Sequence, residues 1–189
     1  AGIGHDGQTL NVRGANSGGF LRLTTTGDLV DVSTGSFAAS AADYVSLIAD
    51  GAIGAVGDAF RVSLADGSTL LLQAANDAHV TQVGGDLILG YALTGGDLVL
   101  TTPADLALGR ATIGGNATLN VAGDLTDHAD DDADPSRDLK SAAVVLDVRG
   151  SVGSLTNRIE IDAAGAISGD VDGSLYLLDL DTIGLQAGA

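Results

Sequence analysis

The chain has 189 residues, with 25 acidic against 8 basic side chains, a formal charge of −17, 28 glycines, and neither cysteine nor methionine. So acidic a balance argues against nucleic acid or an anionic membrane as partner, because both need a basic face. The lack of cysteine excludes disulfides and thiolate metal sites, and no apolar run approaches the ~18 residues of a membrane span.

In chain order, the predicted elements are short strands opened by small-residue corners. Gly27-Asp28 precedes an apolar run at 29–32, and Asp66-Gly67 precedes another at 68–72. Gly84-Gly85-Asp86 precedes Leu87-Ile88-Leu89, and Gly95-Gly96-Asp97 precedes Leu98-Val99-Leu100, 11 residues on. Gly114-Gly115-Asn116, Ala122-Gly123-Asp124 and Asp172-Gly173-Ser174 continue the series. Glu160 is the only glutamate. An acid content that is otherwise all Asp favours turns over helices, because the short carboxylate bonds nearby backbone N–H groups. Glycine is expected at these corners for the positive φ of a sharp turn. The Val, Ile, Leu and Thr between them read as strands.

A longer repeat lies above this one. Val45, Leu47, Gly51, Ile53 and Gly54 match Val144, Leu146, Gly150, Val152 and Gly153 at an offset of 99, and Phe60 and Val62 match Ile159 and Ile161. Gly27-Asp28-Leu29 matches Gly123-Asp124-Leu125 at an offset of 96, so the second copy carries a three-residue insertion between 126 and 143. The chain reads as one β-helix domain over 1–189 with an internal tandem repeat, approximately 27–122 and 123–189, the second copy truncated. The absence of methionine suggests a segment of a longer product, with any export signal lying elsewhere.

Self-similarity on two scales predicts an all-β solenoid, in which stacked coils bury a core that no single coil could bury. A two-sheet sandwich is disfavoured, since its thicker core recruits large aromatics and this chain has 3%. The expected parallel β-helix has roughly 8–9 coils at ~4.8 Å each, with an acidic loop insertion near 127–138. Leu29, Leu47, Ile53, Val62, Leu87, Leu98, Leu125, Leu146, Val152 and Ile161 are the expected inward positions.

The stretches 53–90 and 152–185 share an Ile/Val-Gly opening, an apolar-x-apolar strand, a small-residue turn and a Gly-Asp-Leu-like strand. In this they resemble the repeats of large secreted bacterial β-helical adhesins of the filamentous-haemagglutinin-like type. The resemblance implies a right-handed parallel β-helix serving as an extended stalk or adhesive shaft at the cell surface or outside the cell. Its partners would be neighbouring β-helical repeats, other copies of itself, or host and matrix glycans or proteins. A subunit of a self-assembling extracellular filament is an alternative, because a solenoid end exposes unpaired backbone groups.

Chemistry-bearing residues are few. In the acidic run 127–138, Asp130, Asp132 and Asp134 alternate like the start of a calcium loop, making them a candidate weak Ca²⁺ site; clustered carboxylates suit that hard cation. Pro135 and Ser141 stand where an EF-hand needs Gly and Glu, and a solvated loop of repelling charges is the competing reading. His5, His79 and His128 are not at metal-ligand spacing, although His128 adjoins Asp127. No nucleophile elbow is present, and no other cofactor or enzyme activity is expected. Arg22, Arg61, Arg110, Arg149 and Arg158 are expected to pair with nearby aspartates. The Thr24-Thr25-Thr26 and Thr101-Thr102 runs lack the Thr-x-Thr rows of an ice-binding face. A carbohydrate-active β-helix enzyme is a third alternative, which an outer groove combining Asp with Arg would favour.

Overall fold

The computed structural model describes residues 2–5, 8–128 and 137–180. The first strands are β1 (Gly2–His5), β2 (Leu10–Val12), β3 (Ala15–Ser17), β4 (Phe20–Thr25), β5 (Leu29–Asp31), β6 (Ala39–Ala41) and β7 (Tyr44–Ala49). The middle coils hold β8 (Phe60–Leu64), β9 (Ser68–Ala74), β10 (Ala78–Gln82), β11 (Leu87–Thr94), β12 (Leu98–Thr102) and β13 (Leu106–Ile113). The last are β14 (Ala117–Val121), β15 (Leu125–Asp127), β16 (Leu139–Ser141), β17 (Val144–Val148), β18 (Ile159–Ala163), β19 (Ile167–Val171) and β20 (Leu177–Asp179).

The strands stack as a parallel β-solenoid of about 8 turns, with no helix among the described residues. One sheet has ten strands in the order β1-β4-β7-β9-β11-β13-β16-β18-β20, with β15 beside β16 on β13. A second has eight, β19-β17-β14-β12-β10-β8-β6-β3, and β2 pairs with β5.

Alternation explains the strands. In β12, Leu98, Leu100 and Thr102 are buried while Val99 and Thr101 are not, and β14 repeats the pattern with Ala117, Leu119 and Val121. Because the register is parallel, each inward residue lies on its counterpart. Ala78, Leu98, Ala117, Val144 and Ile167 form one such row. Ser68, Leu87, Leu106, Leu125 and Val152 form another. Every one of the predicted inward positions is buried. The core is aliphatic apart from Phe60, as a narrow solenoid requires.

Positive φ, the expected cause of the corner glycines, holds at Gly67 (72°) and Gly85 (62°); the other corners have a different cause. Each Asp reaches across to the next coil. Asp66 Oδ1 accepts the N–H of Asp86 (3.3 Å), Asp86 that of Asp105 (3.2 Å), Asp105 that of Asp124 (2.8 Å) and Asp124 that of Ser151 (2.7 Å). A second ladder joins Asp77 to Asp97 (2.8 Å) and Asp97 to Asn116 (2.7 Å), and Asp28 likewise holds Ala52 (2.8 Å). A Cβ on Gly96, Gly115, Gly123 or Gly150 would collide with the carboxylate of the coil beneath, whereas Ala104, which precedes the amide held by Asp86, carries a Cβ at its own rung. None of these four glycines has positive φ; of the ladder glycines only Gly85 does. Close approach, not backbone conformation, demands glycine there.

Positive φ does matter at Gly54 (63°) and Gly153 (62°). Each opens a short excursion from the coil, closed by Ala55–Asp58 in one and by Ser154 N–H donating to Asn157 O (2.7 Å) in the other. At their tips Val56 and Leu155 are 86% and 77% exposed. These are equivalent positions of the long repeat. The repeats nonetheless occupy different faces: Val45 and Leu47 lie in the ten-stranded sheet, while Val144 and Leu146 lie in the eight-stranded one.

Candidate functional site

Asp130, Asp132 and Asp134 lie outside the described residues; Asp127 and Asp138, on either side of them in the sequence, are described. Leu70, Leu89, Leu108 and Asp127 follow one another in register, so the row that holds leucine in three coils holds a carboxylate in the fourth. There the chain leaves the sheet: β15 continues the first half of β13 and β16 the second. It returns through Asp138, whose Oδ2 accepts the N–H of Glu160 in the following coil (2.9 Å).

Asp127, Asp138 and Glu160 are all buried, and one carboxylate oxygen from each lies within 4.8 Å of the others. Such a set offers hard oxygen ligands, as part of the six to eight that calcium takes. Glu160 escaped sequence reasoning. Its signal was there: a lone glutamate between Ile159 and Ile161, only 1% exposed in the fold. No histidine joins this cluster. His79 is buried in β10 beside the first excursion, with its backbone N–H on Ile53 O (2.7 Å). His128 holds Leu108 O through its backbone (2.8 Å), and His5 lies in β1 at the far end of the stack.

Of the arginines expected to pair with aspartate, Arg61 does so most fully. Its Nε donates to Asp31 Oδ2 (2.6 Å), and its two terminal nitrogens reach Gly35 O (2.7 Å), Ser33 O (3.0 Å) and Ser33 Oγ (2.8 Å). Burial alone would raise the Asp31 carboxyl, but donation from Arg61 and Ser33 outweighs it and lowers the pKa. The arrangement is a clasp that ties the 32–38 segment to β8. Arg22 instead donates to Thr24 (3.3 Å). Arg137 and Lys140 both pair with Asp162 (2.6 and 3.2 Å); neither Arg110 nor Arg149 is in these ion pairs.

Arg149 lies instead in a groove of about 480 Å³ along the eight-stranded sheet. Register sets Thr101, Asn120, Asp147 and Asp170 in one outward column. Two residues further along each strand, Ala122, Arg149 and Asp172 form the opposite wall, and the backbone of Thr102, Val121 and Val148 makes the floor. The groove therefore runs across coils. The outer face of the ten-stranded sheet differs in kind. From β4 to β13 its outward positions carry no acid, and it shows Phe20 stacked on Tyr44 (4.6 Å between ring centroids) and an exposed Tyr91.

Comparison with protein-family models, curated proteins and solved structures returns no match for this chain. The parallel β-solenoid expected from the repeats is the fold the chain adopts.

Proposed function

We propose that the chain is a shaft segment of a large exported bacterial surface protein of the filamentous-haemagglutinin-like kind, structural and adhesive rather than catalytic. The observation that carries this is the coil-on-coil stacking of inward rows and corner ladders. Such a rod grows by adding coils, each stabilised only by its neighbours. Small-angle scattering with electron microscopy of the purified chain tests the shaft: a rod of constant cross-section is expected, and a globular particle would overturn it. End-to-end fibres would favour the filament-subunit reading. Surface labelling of intact source cells tests export, with labelling only after lysis as the contrary result.

The groove favours a second reading, a carbohydrate-active β-helix, since it brings Asp147, Asp170 and Asp172 together with Arg149. Release of new reducing ends from a polysaccharide by the purified chain would support it.

A further inference from the structure

We propose that the groove on the eight-stranded sheet binds a neutral glycan chain laid along the rod axis. The inference builds on the shaft reading by giving the shaft a ligand, and its test depends on neither export nor rod length.

Three properties of the groove point to this ligand. The first is shape. A cleft of about 480 Å³ falls within the ~300–1,000 Å³ typical of ligand sites. Its outward column spans four coils, so it is elongated across the strands and fits a chain better than a single ring. The second is the order of its polar groups. Along the column stand a hydroxyl, an amide and two carboxylates, with a guanidinium on the facing wall; Asn120 Nδ2 already donates to Thr101 Oγ1 (3.3 Å). The groove thus offers donors from Thr101, Asn120 and Arg149 and acceptors from Thr101, Asn120 and the three carboxylates. A sugar hydroxyl both donates and accepts, so successive hydroxyls can give to Asp147 and Asp170 and take from Arg149. Bonds to charged partners are the stronger kind. The third is charge. Three carboxylates against one guanidinium leave the groove negative within a chain of −17, which repels polyanions. A basic peptide would be drawn to the same net negative charge, so hexalysine is the competing probe.

The test is calorimetric titration of the purified chain after a screen on an array of neutral oligosaccharides, with hexagalacturonate and hexalysine as charged probes. Binding of at least one neutral oligosaccharide is expected, weakened tenfold or more by Asp147→Asn/Asp170→Asn and by Arg149→Ala. Hexagalacturonate should fail to bind, and hexalysine, drawn to the net charge of −17, should bind the groove variants as it binds the parent. Tyr91→Ala, on the other sheet, should bind as the parent does. These side chains are exposed, so unchanged urea midpoints are expected and serve as the folding control. No binding across the array, oligosaccharide binding that survives the groove variants, loss of binding in Tyr91→Ala alone, or hexalysine binding weakened by the groove variants would each overturn the proposal. A chain that forms rods but fails here keeps its shaft role and loses its ligand.

Discussion

Gly115→Ala separates two explanations of the corner glycines by the sign of its effect. Gly115 has no positive φ. If it were there only for backbone freedom, alanine would narrow the unfolded ensemble and stabilise the protein by about 0.4–1 kcal/mol. In the fold, a Cβ at 115 would overlap the Asp97 carboxylate and lie 2.9 Å from Gly96 C and 3.0 Å from Asp97 N. The carboxylate can swing away, but it then drops its bond to the Asn116 N–H, at about 0.5–1.5 kcal/mol. The backbone of the coil beneath cannot swing, and forcing such contacts apart costs about 1–3 kcal/mol. Set against the entropic gain, the net is a loss of about 2 kcal/mol. Urea melts of the variant against the parent give the number. Gly84→Ala, where an added Cβ meets nothing within 4 Å, is the control and should be neutral or stabilising. A Gly115→Ala protein as stable as its parent would refute the close-approach explanation.

Three further outcomes are expected. Leu98, fully buried between Ala78 and Ala117, should cost about 4 kcal/mol or more as Leu98→Asp, while Asp97→Asn keeps an oxygen for the Asn116 N–H and should cost under about 1 kcal/mol; equal denaturant midpoints would mean that the inward register is wrong. Gln82 is fully buried and brackets Leu64, its Oε1 accepting the N–H (3.1 Å) and its Nε2 donating to the C=O (3.0 Å); Gln82→Leu should cost about 2–4 kcal/mol by leaving both unpaired, read from the same melts. The Asp31 carboxyl titrates lower in the fold than unfolded, so its contribution is complete above the ordinary aspartate value of 3.8 and drains away as pH falls through the lowered folded value. Asp31→Asn should therefore reduce the melting temperature near neutrality and shrink the difference from the parent in acid; a constant difference across that range would sink the clasp.

Local alternation made the strands legible. Leu98 between Asp97 and Val99 declares an inward side chain without knowledge of any neighbour. What lies across a coil boundary did not declare itself. The partner of Gly115 is Asp97, and the partner of Gly150 is Asp124; the carboxylate-to-amide steps are 19 residues in one case and 27 in the other. No fixed period exposes such pairs, so glycine was assigned its commoner role in turns. The carboxylate cluster was hidden for the same reason. Asp127 and Asp138 flank a denser run of aspartates in the sequence, and Glu160 belongs to the next coil. Asp147 and Asp170 became neighbours only once the coil joining them was known to be 23 residues long.

The 99-residue offset that carries one excursion into the eight-stranded sheet and its counterpart into the ten-stranded one makes the rod comparable to a screw thread. Adding or removing a whole coil slides everything beyond it by ~4.8 Å and leaves each face where it was. Copying a unit that is not a whole number of coils also rotates its decorations about the axis. Length and angular placement are then set independently, the first by how many coils are stacked and the second by the residue count of the copied block. Val56 and Leu155 mark two steps of that rotation.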